Sequence, residues 1–464
     1  MQRTFRTACL VFTVGALTLG ARSQTFAPSA LPIAPDQSAA RETNLPQLTL
    51  DQAVEQAIAN NSNLKTASLE SRRAADELAA ARTRRLANTQ VTALGAQLLT
   101  KPSVTFPAGS LGVYGSGPIP ATNQKVEIAR KPTGTVNVLV NQPLSTQYQL
   151  HLQLTALSLG LEGTREDEER ARLEVVDRVR RAYYTVVEAQ STLDSLQASL
   201  PYYRESRRLA SENYRRETVL ESDLLNADAQ LLNVQNAISD AEDRVASAEE
   251  QLNDLMARDI HIRFRVASVG EADTDLPTSE ELEATALQAR PDVKKAKLQV
   301  RQAGYDARAK LAEYIPDISL AFDYYTTANY ENILPSNIGT LGLSLRWEPW
   351  DWGRKRHEYQ AKKTEEEQAR VGVGATERAV LLEVRDAHRQ LENARRQLSL
   401  SEASERAARQ KLKEVQEQVK HEAALSRALY QAQSELAAAD SQNQQALTAF
   451  WKARADLKKV IGEQ

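Results

Sequence analysis

Between residues 227 and 255 the apolar positions fall at Ala227, Leu231, Val234, Ile238, Ala241, Val245, Ala248, Leu252 and Leu255. Their steps alternate four and three without a slip, which predicts a helix with an apolar seam of period about 3.5. The same seam returns 205 residues later at Ala432, Leu436, Ala439, Asn443, Ala446, Phe450, Ala453, Leu457 and Val460. One helix is therefore written twice. Asn443 is the single polar member, and a lone polar seam residue sets register or partner choice. A third seam, Val380, Val384, Ala387, Leu391, Ala394 and Leu398, runs ahead of the second copy.

Elsewhere the period is 2. Strands are expected at about 89–99, 133–144, 317–326 and 339–349. In the second, Val136, Val138 and Val140 oppose Asn137 and Asn141. Ile318, Leu320, Phe322 and Tyr324 oppose Ser319, Ala321 and Asp323, and Leu341, Leu343, Leu345 and Trp347 oppose Gly342, Ser344 and Arg346. Residues 101–131 are rich in Pro, Gly, Ser and Thr and read as a loop. A helix is expected from Pro143 to Tyr214, spanning about 100 Å if Pro201 only kinks it. A turn near Glu217 then leads into the first seam, and a matching turn falls near Glu422. Leu48 to Leu86 reads as helical, interrupted at Asn60-Asn61-Ser62-Asn63, and Ile260 to Val266 as a short strand or extended connector.

The order then repeats. Ala57-Ile58 corresponds to Ala286-Leu287 and Asn63-Leu64 to Asp292-Val293, an offset of 229, while Pro143 corresponds to Pro349, an offset of 206. The loss of 23 residues falls in the loop between the two strands of the second half. The expected division is a signal peptide over 1–23, a Pro/Ala-rich tether over 24–47, a first repeat over 48–258, a connector over 259–278 and a second repeat over 279–464. Each repeat is helix, strand, strand, long helix, long helix.

Charge and composition narrow the function. The net charge of −3, with basic residues spread among acids, argues against nucleic acid. Arg3 and Arg6, an apolar core from Thr7 to Leu19, and the small residues Ala21 and Ser23 form a secretory signal in order. The only cysteine, Cys9, lies inside it, so the exported chain is expected to hold no disulfide and no thiolate metal site. No Gly-rich phosphate loop, HExxH or nucleophile elbow occurs, and His388 and Glu392 form a solvated helical pair with no third ligand. No enzyme activity, cofactor or metal is expected.

Four strands cannot bury an apolar face or satisfy their own edges, and a membrane barrel needs at least about eight. Chains must pool strands, and three chains supply twelve. The aromatic set Tyr324, Tyr325, Tyr330, Trp347, Trp350 and Trp352 suits a girdle on a lipid-facing barrel.

Taken in order, Leu48-Thr49-Leu50-Asp51-Gln52-Ala53 with Asn61-Ser62-Asn63-Leu64, Ala289-Arg290-Pro291-Asp292-Val293, Asn141-Gln142-Pro143-Leu144, Arg346-Trp347-Glu348-Pro349-Trp350-Asp351-Trp352-Gly353, and Ser222-Asp223-Leu224-Leu225-Asn226-Ala227 resemble the motifs of TolC-like outer-membrane efflux proteins. The resemblance covers nearly the whole mature chain. It implies a mostly α fold with a transmembrane β-barrel, in which a homotrimer builds a twelve-stranded barrel continued by a periplasmic α-helical tunnel. The implied role is the exit duct of a tripartite efflux or type I secretion system. The implied partners are a periplasmic adaptor, an inner-membrane RND or ABC pump and outer-membrane lipid.

The family often has Gly at the tunnel tips, where this chain has Glu217 and Glu422. Tyr214, Glu217, Ser222, Asp223 and Glu422 are expected at the periplasmic gate and adaptor contact. Where relatives carry a constricting acidic pair, this chain has Ala428 and Gln431, so an acidic selectivity ring is not expected. The competing class is a soluble periplasmic coiled-coil scaffold or adaptor, which membrane fractionation separates from a duct.

Overall fold

The computed structural model describes residues 45–463, apart from 102, 128–130, 268–277, 330–336 and 422–425. The expected signal peptide, most of the tether, Tyr330 and Glu422 lie outside the described residues.

The described chain opens with β1 (Gln47–Leu48), α1 (Leu50–Asn60) and α2 (Ser62–Thr83). Thr49 caps α1 reciprocally: its hydroxyl accepts from the Gln52 amide at 3.3 Å, and Gln52 Oε1 accepts from the Thr49 amide at 3.1 Å. The break expected at Asn60-Asn61 is a hinge centred on Asn61. Its Oδ1 accepts from the Asn63 amide at 3.0 Å, starting α2, while its Nδ2 donates to Leu255 O at 2.9 Å. Next come β2 (Asn88–Gln97), the short strands β3 (Ser103–Phe106), β4 (Val113–Tyr114), β5 (Gly117–Pro118) and β6 (Gln124–Glu127), then β7 (Pro132–Pro143). The stretch expected to be a plain loop thus folds into two small antiparallel pairs, β3 with β6 and β4 with β5. Strands of two to four residues leave no readable period.

α3 (Gln147–Arg215) has 69 residues, about 100 Å at 1.5 Å each, and runs through Pro201 without ending. α4 (Glu221–Leu255) carries the first seam, with Ala227, Ala241, Val245, Ala248 and Leu252 buried. β8 is only Arg265–Val266 and pairs parallel with β1. Two expectations need correcting here. Gln47, expected in the tether, and Leu48, expected in the first helix, form a strand; of the expected short strand or extended connector over Ile260–Val266 only Arg265–Val266 is strand, with Ile260 and Ile262 exposed and Phe264 buried.

The second half repeats this order with α5 (Ser279–Ala289), α6 (Pro291–Leu311), a 3-10 turn at Ala312–Tyr314, β9 (Asp317–Ala328), β10 (Asn337–Arg346), α7 (Arg354–Lys420) and α8 (Ser426–Ile461). Thr278 and Glu281 form the same capping box as Thr49 and Gln52, displaced by 229 residues. Arg290 stands where Asn61 does and ties the hinge by ion pairs to Asp292 and Glu383.

Two related cores result. One gathers Leu48, Ala53, Val179, Tyr183, Leu252, Met256 and Phe264 from β1, α1, α3, α4 and the connector. The other gathers Leu282, Val293, Val384, Leu391, Phe450 and Leu457 from α5 to α8. Trp451 packs against both, stacked on Tyr184 at 6.4 Å. Helix α3 joins the halves. Its first part packs on α2 and α6, where Asp167 meets Lys295 at 2.7 Å. Its second part packs on α4 and α8, where Arg181 meets Asp456 at 2.6 Å and Glu188 meets Lys452 at 2.8 Å. The odd seam residue Asn443 is satisfied by α7: Ser401 Oγ lies 3.0 Å from its Oδ1, and its Nδ2 donates to Glu405 at 2.6 Å.

Candidate functional site

The four longest strands form one antiparallel sheet in the order β10-β9-β7-β2. Partners across an antiparallel ladder share a face, so the register sorts the side chains. Leu341 pairs with Phe322, Leu343 with Leu320 and Leu345 with Ile318; Phe322 pairs with Val140, and Val138 with Val91. One face is therefore Leu, Ile, Val and Phe. The other carries Thr340 opposite Asp323, Asn137 opposite Tyr325 and Asn88 opposite Asn141. The apolar face is open: Leu341, Leu343 and Leu345 are 70%, 72% and 65% exposed. Both outer strands, β2 and β10, lack a partner on one side among the described residues.

Register also corrects the expected girdle. Tyr324 lies on the apolar face, paired with Gly339, whereas Tyr325 points to the polar face. Neighbours in a strand cannot share a face. Trp347, Trp350 and Trp352 follow β10 and are exposed, Trp352 at 90%. Trp350 and Trp352 meet edge to face at 5.8 Å. Trp352 has φ 56°, unfavourable for a bulky side chain, and Gly353 follows at φ 85°. Asp351 holds this turn by accepting from the Gly353 amide at 3.0 Å and the Lys355 amide at 2.9 Å. Those hydrogen bonds, the Lys355 amide foremost, place its carboxyl below the usual range. Lys355, itself buried, donates to Glu348 O at 3.2 Å. The turn is braced from inside, and the indoles project outward at the end of the apolar face. Tyr148 and Tyr314 are exposed at the same junction. Strand alternation gives no sign of them, because they sit in helical or turn sequence beside the strands.

At the far end of α3, Tyr214, Glu217, Ser222 and Asp223 come together on one turn. Glu217 has φ 53°, the left-handed conformation that glycine adopts most easily. The Thr218 amide and hydroxyl both donate to Asn213 O, at 3.0 and 2.9 Å, closing α3. Asp223 Oδ2 accepts from the Leu220 amide at 3.3 Å at the start of α4. Tyr214 and Ser222 are exposed. Arg207 and Asp228, 2.7 Å apart, clamp the two helices just above the turn. That pair was missed because its members lie 21 residues apart across a turn. The strand aromatics are at the other end of α3, so the expected gate and girdle residues form two separate sites.

Residues 282–463 match the family model described as outer membrane efflux protein. That match covers the second repeat. The fold of the described chain agrees with that of solved outer-membrane channels. The outer-membrane channel OprN superposes with a TM-score of 0.71 at 18% identity, covering 89% of this chain and 90% of that one. The Campylobacter jejuni CmeC outer membrane channel does so at 0.70 and 18% identity, covering 89% and 85%. An uncharacterized protein of Haemophilus influenzae is 22% identical over 262 residues, which is 52% of this chain and 56% of that protein. The efflux-family match falls on the second repeat; the first repeat is joined to it by fold and by the internal duplication.

Proposed function

We propose that this chain is the outer-membrane exit duct of a tripartite efflux or type I secretion system. The observation that carries this reading is the sheet. It exposes a continuous apolar face, ends in two unpaired edges and continues directly into helices about 100 Å long. Exposed apolar rows and open edges are unstable in water, and a closed barrel in lipid satisfies both. Three copies supply twelve strands, with Trp347, Trp350, Trp352 and Tyr324 at the lipid face. The helices then line a tunnel on the periplasmic side.

Cargo would be delivered by an inner-membrane RND or ABC pump through a periplasmic adaptor. The tip formed by Tyr214, Glu217, Ser222 and Asp223, together with Glu422 as its counterpart in the sequence, is the proposed gate and adaptor contact. The soluble scaffold reading has no use for a lipid-sized apolar face.

The test is reconstitution into planar bilayers with membrane fractionation beside it. A duct needs detergent for extraction, migrates as a trimer and conducts. Glu217→Gln with Asp223→Asn is expected to raise conductance or weaken adaptor binding. A freely soluble, non-conducting chain overturns the duct, and a double variant unchanged in both properties overturns the gate.

A further inference from the structure

The junction between α2 and β2 carries positive charge that no ion pair balances among the described residues. Arg82, Arg84 and Arg85 follow one another there, all exposed. Between Glu77 and Glu127, and again between Glu127 and Glu162, the sequence holds no Asp or Glu. Among the described residues none of the three arginines makes an ion pair, and the Arg85 side chain reaches only Gln147 Oε1, at 3.3 Å. Two further bonds fix the place of this patch. Gln142 and Gln147, flanking the end of β7, each donate a side-chain N–H to Arg85 O, at 3.0 and 2.8 Å. The arginines are thus pinned at the end of the sheet, on the side where the helices leave.

A groove of about 570 Å³ lies there between α2 and α3. Arg82, Arg85, His151 and Thr155 line it together with Leu86 and Leu154. Guanidinium groups offer fixed forks of donors that match phosphate oxygens, and an imidazole can add another. Leu86 is 66% exposed, an apolar surface one residue from the guanidinium of Arg85. Cationic donors beside an exposed apolar side chain fit an amphiphilic anion better than a free one.

The second repeat shows that this is no general property of the junction. The offset of 229 puts Leu311, Glu313 and Tyr314 where Arg82, Arg84 and Arg85 stand. Two of the cations there are neutralised, Lys310 by Glu313 at 2.8 Å and Glu358 at 2.7 Å, and Arg354 by Glu348 at 2.7 Å. His151 does have a counterpart, His357 at the offset of 206; Arg356 precedes it, but Glu313 and Tyr314 stand in place of Arg84 and Arg85.

We infer that the Arg82–Arg85–His151 groove binds the phosphodiester headgroup of an anionic phospholipid in the periplasm-facing leaflet. The ligand chemistry, a phosphate oxyanion, stands on the groove alone; its source in that leaflet rests on the proposed duct. Each protomer would hold one such lipid, on the first-repeat side of the junction only.

The test uses the full chain purified in detergent. Native mass spectrometry follows titration with phosphatidylglycerol, with phosphatidylcholine and with inorganic phosphate. Parallel samples go into planar bilayers. Saturable phosphatidylglycerol binding, weaker phosphatidylcholine binding and no displacement by equimolar phosphate support the inference. Loss of two charge-assisted contacts in Arg82→Ala/Arg85→Ala should weaken phosphatidylglycerol binding by tenfold or more, taking about tenfold per 1.4 kcal/mol. Arg82→Gln, which removes no intramolecular bond, should weaken it severalfold while the trimer band persists. Arg73→Ala, a cation already paired with Glu77, should leave it unchanged. Equal binding of both lipids, displacement by phosphate, or undiminished binding in both groove variants overturns the inference. If the parent inserts and conducts but binds no lipid, only this inference fails; if it neither inserts nor conducts, the duct itself fails.

Discussion

Leu341→Arg is the substitution on which the lipid-facing reading depends most directly. Leu341 pairs with Phe322 on the apolar face and lies five residues before the end of β10 at Arg346. At about 3.3 Å per residue that is about 17 Å along the strand, or about 12 Å of height at a tilt near 45°. An apolar band about 25 Å tall then has its midplane at Leu341. An arginine at that depth costs about 2–4 kcal/mol. In water the same change, at a side chain 70% exposed, should fall within about 0.5 kcal/mol.

Thr340→Arg is the internal control. It moves one residue, places the charge on the opposite face and sets it across from Asp323. It should cost little. Urea unfolding of chain refolded into phospholipid vesicles measures both, with the indoles of Trp347, Trp350 and Trp352 reporting the membrane end by fluorescence. The expected outcome is an earlier midpoint for Leu341→Arg and an unshifted one for Thr340→Arg. Equal midpoints for the two variants and the parent would show that the apolar face does not meet lipid, and the reverse order would show that the faces are assigned the wrong way round.

Asn443→Leu restores an unbroken seam but strips an acceptor from the buried Ser401 and a donor from Glu405. Ser401 keeps its bond to Leu398 O and Glu405 its pair with Arg409, so the loss should cost about 1 kcal/mol, read as a lowered melting temperature by circular dichroism. Glu249 is buried; desolvation raises its carboxyl pKa even though Arg263 lies 3.0 Å away. A raised folded pKa means the folded chain keeps this proton longer, so the group's contribution is present below about pH 4.3 and is lost as pH rises through the folded value. Glu249→Gln removes that slope, so its melting temperature relative to the parent should climb from pH 4.5 to pH 7.5; a constant difference would refute the assignment.

What could be read from the sequence was what repeats. The seams on α4, α7 and α8 and the strands β7, β9 and β10 each carry enough periods to exceed noise, and the structure puts them within a few residues of expectation. The hinge at Asn61 was legible because its side chain acts on residues two and three ahead. The β1–β8 pair was not, since it joins two dipeptides whose partners lie 218 residues apart, Gln47 with Arg265. Trp347, Trp350 and Trp352 stand in one run and are exposed together, but assigning Tyr324 and Tyr325 to one surface overlooked the strict alternation of a strand. The basic junction at Arg82–Arg85 looked like any solvated helix end, because its significance comes from the absence of acids in the first part of α3, residues 147–161, which packs beside it.

The two flanks of the protomer bear on how copies would meet in the proposed trimer. Near the sheet the helices pack in the order α2, α3, α6, α7, and at the far end in the order α4, α3, α8, α7. One flank is thus α2 and α4, the other α7. The sheet ends in the same sense, with β2 following α2 on one side and β10 leading into α7 on the other. Exposed apolar side chains mark both flanks: Leu69 and Leu232 on the first, Val371 and Leu382 on the second. In the proposed trimer these flanks, being different surfaces, would meet each other and not themselves, a heterologous contact that can close into a ring. The chain's one cysteine, Cys9, lies in the expected signal segment, so engineered pairs report cleanly. A cysteine at Leu94 on β2, combined in turn with one at each position of β10, should give at one register a cross-linked ladder that stops at the trimer. Leu94→Cys alone should give none. Dimers linked through Leu94→Cys alone would mean that β2 meets β2, and a closed ring of twelve strands could not form.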